Sequence, residues 1–423
     1  MKKLLAQYSG LKKEIYILFI GKLVTAMGSF VWPMLTFFLT TKLGFSDGFA
    51  TLLLAIATLL MLPAALLGGK LADRFSRKKI IILFDCCTFL LYVAAFLLPI
   101  SNLTAVLVFF GGLFQTIESP AYDAINADFS TPQQREKAYS LSYLGMNLGF
   151  IVGAGLAGLL FEKHTNLCFL LNGISVIFST VLIVFFVHME NTVKNSEPGS
   201  DLSRAYGEYE LPVEDTVAPL AILRERKAVL WMMLISCISA MPNTLSGVML
   251  PLQLKEQLGE HGAAVYGSLN SLNGLTVILL TPILTMRLRK ITEIPKSIAG
   301  VLFFVIGILI FAVGSPIWLL YLGMFLFTVG EVSSVLGHKP YFTRRIPASH
   351  WGRVGGINSV ISSIFQTVTG FLISGILTIS HSNYVMIWVT FAGFGVTAAV
   401  LYLLLYREDR KTFPALYAKA PQK

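Results

Sequence analysis

The stretch Gly69-Lys70-Leu71-Ala72-Asp73-Arg74-Phe75-Ser76-Arg77-Lys78-Lys79 decides how the chain reads. It is a short basic loop set between two apolar runs, near 49–69 and 80–99. Each run is about 20 residues long. A helix rising about 1.5 Å per residue needs that length to cross a hydrocarbon core about 30 Å thick. Two such runs joined by a Lys/Arg-rich loop read as a hairpin of membrane helices.

Working outward, the same pattern recurs along the whole chain of 423 residues. Apolar segments lie near 15–41, 49–69, 80–99, 103–125, 138–161 and 167–187. A second set lies near 228–254, 263–286, 297–314, 317–340, 354–380 and 384–406. Pro and Gly inside them are tolerated in membrane helices. Hydrophobic residues make up 55% of the chain and charged ones 13%, with mean hydropathy +0.71. A soluble domain carries about 25% charged residues, so there is no room for a sizeable soluble domain. The first run is too long for a signal-peptide core and reads as a retained helix. The expected fold is an all-α membrane protein with twelve transmembrane helices.

The charges report orientation. Of the 33 Lys and Arg, 29 fall in the tails and loops of one side. Only Lys42, Lys163 and Lys255 fall on the other, and Lys22 lies inside the first segment. The basic side is the cytoplasmic one, which places both termini inside. The net charge of +10 is therefore a topology signal that can also hold anionic lipid. It is no footprint for nucleic acid. Cys86, Cys87, Cys168 and Cys237 fall in or beside apolar runs without metal-ligand spacing, and read as small core residues.

A polar stretch with Pro198, Gly199, Pro212 and Pro219 separates the two sets of segments. The expected organisation is an N-terminal six-helix bundle (1–188), a cytoplasmic linker (189–227) and a C-terminal six-helix bundle with a tail (228–423). The run from Ser130-Thr131-Pro132 to Leu141 weakly parallels that from Arg345-Ile346-Pro347 to Ile357. Parallel repeats around a central cavity are a known transporter plan.

With that frame in place, the opening stretch resembles the cytoplasmic signature of the major facilitator superfamily, Gly-x-Leu-Ala-Asp-Arg-x-Gly-Arg-Lys/Arg. Ser76 departs from the usual Gly. The resemblance covers helix count, linker, topology and motif place. It implies two six-helix bundles and transport by alternating access. It also implies a conformational latch of Gly69, Asp73, Arg74 and Arg77. Gly69 would let a helix approach closely. Asp73 would face the start of the eleventh segment, near Val354. Arg77 would pair with Asp128, or failing that Asp123. The loop after the eighth segment, Arg287-Leu288-Arg289-Lys290, lacks the Asp, so this latch is expected on one side only.

Helix five reads Gly145-Met146-Asn147-Leu148-Gly149, then Gly153-Ala154-Gly155 and Gly158. It is a packing face of small residues, and also resembles the antiporter signature of drug exporters with its proline replaced by Ala154. Such exporters often carry an Arg one turn before a Gln in the fourth helix; here Gly112 precedes Gln115.

A charge near a helix centre costs roughly 2.5–3.5 kcal/mol on insertion scales. Buried charges are therefore functional candidates. Glu331 in the tenth segment, Glu118 in the fourth and Lys22 in the first qualify, and a Lys22–Glu118 ion pair is expected. Gln115, Glu118 and Tyr122 share a helix face, while Asp123 points elsewhere. His338, beside Lys339, is either a proton relay or an interfacial polar residue. Asn147, Asn243, Asn270, Asn273, Trp32 and Trp231 are cavity candidates.

No phosphate-binding loop, nucleophile–base pair or metal cluster appears, so neither an enzyme nor a cofactor is expected. The leading expectation is a proton-coupled exporter of amphipathic or cationic small molecules, resembling the bacterial drug:proton antiporter branch. It would work as a monomer in a bacterial plasma membrane, with protons, lipids and a small-molecule substrate as partners. A lipid or glycolipid flippase and a nutrient carrier are the alternatives. The Glu-x-x-Glu-Arg run of peptide carriers is missing from the first segment, which offers Glu14 and Lys22.

Overall fold

The structure, a computed structural model, describes residues 8–188, 219–314, 316–346, 351–380 and 383–417. Among these residues every regular element is helical. The order is α1 (Lys13–Met27), α2 (Val31–Phe37), α3 (Asp47–Arg74), α4 (Arg77–Leu97), α5 (Asn102–Asp128) and α6 (Pro132–Phe186). Then come α7 (Pro219–Glu225), α8 (Lys227–Leu258), α9 (Gly262–Arg287), α10 (Glu293–Val313), α11 (Ile317–Arg345), α12 (Trp351–Ile379) and α13 (Tyr384–Thr412).

Eleven helical stretches among the described residues are long and apolar enough to cross a bilayer. The first runs over α1, α2 and a short π turn at Phe38–Lys42. The stretch in α6 is 50 residues long, or about 75 Å at about 1.5 Å per residue, too long for one crossing. Its backbone leaves helical geometry at His164 (φ −132°, ψ 43°). That break lies between the expected segments 138–161 and 167–187. Large apolar side chains stand exposed around the molecule, among them Leu90, Leu97, Val313 and Ile379. Such a surface suits lipid rather than water. The chain is a membrane protein, helical throughout its described elements.

Starts and stops are written locally. Ser46 and Asn383 accept hydrogen bonds from the Phe49 and Met386 amides at 3.4 and 3.0 Å, capping α3 and α13. Ser101 and Thr104 form a capping box at α5. Of the expected linker, 189–218 lie outside the described residues. Its end is helical as α7, and Leu223 packs there with Val229, Met233, Ile346 and Val354.

Packing divides the chain into two units. One is Met1–Pro198 with Val248–Ile278; the other is Gly199–Gly247 with Leu279–Lys423. In the first, Ile15, Leu18, Tyr122, Ile125, Phe129 and Ile183 form a core shared by α1, α5 and α6. Also in the first, α6 meets α9 through glycines. A β-carbon on Gly158 would lie 2.5 Å from the Ala263 carbonyl oxygen and 3.1 Å from Gly267 Cα. In the second, Met232, Ile235, Val301, Tyr341, Ala398 and Tyr402 join α8, α10, α11 and α13.

Candidate functional site

The site is built on α5, whose i, i+3, i+7 face carries Gln115, Glu118 and Tyr122. Glu118 and Tyr122 are buried. Facing them from α4 is Asp85, at zero exposure. The Tyr122 hydroxyl donates to Asp85 Oδ2 at 3.0 Å. Thr180 of α6 donates to the same oxygen at 2.5 Å. With the Tyr122 proton so committed, Ser179 supplies the donor for the 3.3 Å contact between the two hydroxyls. Glu118 lies within hydrogen-bond reach of Asp85.

Asp85 Oδ1 and Glu118 Oε2 are buried and receive no bond from a donor atom. The bond open to the two acids is with each other, and it needs a proton on one of them. Two carboxylates this close repel strongly in a medium of low dielectric. Lys22 of α1 supplies the local cation. Its ammonium sits 4.7 Å above the Tyr122 ring centroid, and its charge acts on Asp85, Glu118 and Asp123. The expected direct Lys22–Glu118 ion pair is thus replaced, because Glu118 turns to Asp85 and the ammonium settles on the aromatic face one turn further along α5. With one proton on the acid pair, the remaining negative charge is matched by Lys22. The cluster can load and release one proton, or trade it for another cation.

Asp85 was absent from the sequence expectations. The signal was available: an acid inside the apolar run 80–99 carries the same insertion cost that singled out Glu118.

Beside the acids a cleft of about 360 Å³ opens between Trp32, Met61 and α5, with Gln115 on its wall. Asp123 is exposed, and its backbone carbonyl accepts from Tyr139 at 3.1 Å. Asn147 and Asn270 spend their amides on carbonyls one turn back, Tyr143 at 2.8 Å and Tyr266 at 3.0 Å. Asn273 is half-buried, while Asn243 and Trp231 are exposed.

In the second unit, Glu331 is half-buried on α11. His338 bonds Tyr402 at 2.8 Å, and Tyr402 lies 3.1 Å from Ser239. These ties hold the imidazole in the packing between α8, α11 and α13.

The opening motif has a clear geometry. Arg77, at the start of α4, pairs with Asp128 at the end of α5 and reaches the Ala124 carbonyl at 3.4 Å. Lys78 donates to the carbonyls of Val184 and Val187 at 2.9 and 2.8 Å, fastening the end of α6. The close approach expected at Gly69 falls instead at Gly68. A β-carbon on Gly68 would lie 2.8 Å from the Ile117 carbonyl carbon, whereas Gly69 faces open space. The helix face that meets α5 is set one residue earlier. Asp73 and Arg74 are exposed. The neighbour expected for Asp73 is reached through 347–350, outside the described residues.

The second unit carries an ionic crosslink of its own with the signs exchanged. Here the acid, Glu293, begins α10 and the bases end α11. Arg344 donates to Glu293 at 2.6 Å and Arg345 at 3.4 Å. Arg345 and Asp409 of α13 are both at zero exposure. They form a two-pronged bond, Nε to Oδ1 at 2.9 Å and Nη2 to Oδ2 at 2.6 Å. Tyr341 and Tyr417 complete Asp409 with donors at 2.7 and 2.6 Å. Burial, then the hydrogen bond to Asp409, pushes the Tyr417 phenol above its ordinary range, so it remains a donor.

Compared with known proteins, residues 18–292 and 232–421 match the Major Facilitator Superfamily. The chain belongs to the major facilitator superfamily. Superfamily members are transporters that bind small molecules and ions. Among relatives, an Na(+), Li(+), K(+)/H(+) antiporter of Planococcus maritimus is 24% identical over 341 residues, covering 76% of this chain and 80% of that protein. The quinolone resistance protein NorA of Staphylococcus aureus is 26% identical over 183 residues, covering 42% and 46%. A crystal structure of a POT family transporter in complex with 5-aminolevulinic acid superposes with a TM-score of 0.77 at 15% identity, covering 95% of this chain and 97% of that one. At that identity the likeness is one of fold.

Proposed function

We propose that this major facilitator protein exports amphipathic or cationic small molecules in exchange for protons. The single observation that carries the reading is the buried Asp85–Glu118 pair, held by Tyr122 and Thr180 and balanced by Lys22. A proton moved through the membrane potential supplies about 2.3 kcal/mol per 100 mV. A carboxyl pair that is neutralised by one proton is a carrier for it as access alternates. In this reading α6 crosses the membrane twice, giving twelve crossings of a bacterial plasma membrane. The Arg77 and Arg345 ends face the cytoplasm, where both termini lie. Glu331 is a second protonation site.

The test uses purified protein in vesicles with an imposed proton gradient and ethidium as the cationic cargo. Asp85→Asn and Glu118→Gln should each abolish gradient-driven ethidium movement, and Glu331→Gln should slow it. Wild-type rates in both of the first two variants would refute the proton assignment.

A second reading is exchange of a monovalent metal cation for the proton at the same pair. It is favoured by the open carboxyl oxygens Asp85 Oδ1 and Glu118 Oε2 and by the cation/proton antiporter among the relatives. Sodium-driven proton release from the same vesicles, with no ethidium response, would select it.

A further inference from the structure

The turn between α9 and α10 carries positive charge that the protein itself leaves unanswered. Arg287 ends α9, and Arg289 and Lys290 follow in the turn; all three are exposed. The turn is tight. The Leu288 amide donates to the Leu284 carbonyl at 2.8 Å, and the Ile291 amide to the Leu288 carbonyl at 3.0 Å. Lys296, half-buried, lies in the first turn of α10. Among the described residues none of these four forms an ion pair. The nearby acid, Glu293, is buried and already takes Arg344 and Arg345. Other basic helix ends are matched within the chain: Arg77 by Asp128, Arg345 by Asp409, and Lys411 by Glu408 at 3.8 Å.

Arg344 brings a fifth cation to the same place. It is more than half exposed, so the guanidinium that bonds Glu293 at 2.6 Å keeps protons for another acceptor. Its charge and that of Lys296 act on one another. Like charges held together raise a local potential that an anion lowers. The helix wall leading to the turn is apolar. Leu279, Ile283 and Met286 stand exposed at i, i+4, i+7 on α9, and Ile291 is exposed in the turn. A cationic rim over an apolar wall matches an anionic headgroup over its acyl chains.

We propose that the α9–α10 turn is a docking site for an anionic phospholipid, of the leaflet that the Lys and Arg asymmetry assigns to the cytoplasm. The phosphate sits among Arg287, Arg289, Lys290 and Lys296, with Arg344 at its edge. Guanidinium forks bond phosphate oxygens in pairs. The Lys296 stem lies along α10 and its ammonium reaches the headgroup. One acyl chain follows the exposed face of α9. The α3–α4 stretch has Asp73 among its bases, whereas 287–292 holds no acid; the bilayer supplies the missing anion. The site is independent of the cargo and of the Asp85–Glu118 pair, which belongs to the other unit.

The purified full chain in detergent is titrated with dioleoylphosphatidylglycerol or dioleoylphosphatidylcholine, and bound lipid is counted by mass spectrometry of the intact complex. The two lipids share their acyl chains and differ in headgroup charge. Each Lys or Arg beside an anionic headgroup is worth about fivefold in affinity, so three are worth about a hundredfold. Phosphatidylglycerol should bind about a hundredfold more tightly than phosphatidylcholine. Arg287→Gln, Arg289→Gln and Lys290→Gln combined should bring it close to the phosphatidylcholine level and leave phosphatidylcholine unchanged. The matching change in the tail, Arg407→Gln, Arg410→Gln and Lys411→Gln, removes as many exposed cations and should leave both lipids unchanged. If the combined turn variant does not fold, Lys290→Gln alone should cost phosphatidylglycerol about fivefold. Equal binding of the two lipids by the wild type overturns the proposal. Equal losses in the turn and tail variants overturn it too, because they mark a diffuse surface charge. So does displacement of the lipid by glycerol phosphate, which marks a soluble phosphate as the occupant.

Discussion

Arg345 carries a full charge at zero exposure, a situation that is stable only when every proton of the guanidinium has somewhere to go. Asp409 takes two, Glu293 takes one, and the Tyr341 ring lies 3.9 Å beneath the plane. Removing one partner from such a pair costs about 3–5 kcal/mol, because the other charge is left buried. Arg345→Met should therefore lower the thermal unfolding midpoint sharply. Arg345→Met combined with Asp409→Leu should recover much of the loss. A double variant as unstable as the single one would show that the cluster does more than pair charges. Asp85 follows the same physics and was equally readable as an acid in an apolar run. What the one-dimensional pattern could not supply was its partner. Which face of α4 meets α5 depends on helix rotation, and that is set by packing between residues 37 positions apart in the chain. For the same reason the sequence pattern points Lys22 to Glu118, whereas the fold sets it over Tyr122.

At the scale of elements, apolar length and loop charge are local properties, and the helices therefore appear near their expected positions. The departures come from contacts. α1 and α2 share one expected segment but are broken between Met27 and Val31. The expected fifth and sixth segments run on as α6, broken only at His164. Helix five's small residues do double duty along their length. A β-carbon on Gly149 would lie 2.7 Å from the Ala26 β-carbon on α1, while Gly158 abuts α9. A larger side chain there has nowhere to go, and overpacking costs about 1–3 kcal/mol. Gly158→Leu should lower the unfolding midpoint by that measure. Gly247, with open space around it, serves as the control: Gly247→Ala should gain up to about 1 kcal/mol from helix propensity. Equal losses at both positions would refute the packing account of helix five.

At the scale of the whole molecule, the Lys and Arg asymmetry makes a claim that can be checked directly. In a chain with Cys86, Cys87, Cys168 and Cys237 replaced, single cysteines are introduced at Lys163 and at Lys79, both exposed. A membrane-impermeant maleimide should label Lys163→Cys on intact cells. It should reach Lys79→Cys only after permeabilisation. The reverse pattern would sink the orientation, and labelling of both on intact cells would sink the crossing count between them. The two units also differ in their chemistry. The first holds the buried Asp85–Glu118 pair and the Arg77–Asp128 pair. The second lacks an Asp in the loop after α9, yet joins the corresponding helix ends through Glu293 and Arg344. A search for the same motif twice misses this, because exchanging the signs preserves the attraction and erases the pattern.

The Arg345 cluster has a consequence for how the protein is made. Its acid Asp409 lies 64 residues further along the chain, and Tyr417 lies 72 further. At about 5–20 residues per second of synthesis, the guanidinium waits about 4–14 s for its last partner. Until Asp409 is made, Glu293 is the one acid partner of Arg345 on the chain. A nascent chain halted before Asp409 leaves Arg345 without its two-pronged partner at the end of α11. The last helix thus closes, at the end of synthesis, a buried charge pair opened by α11.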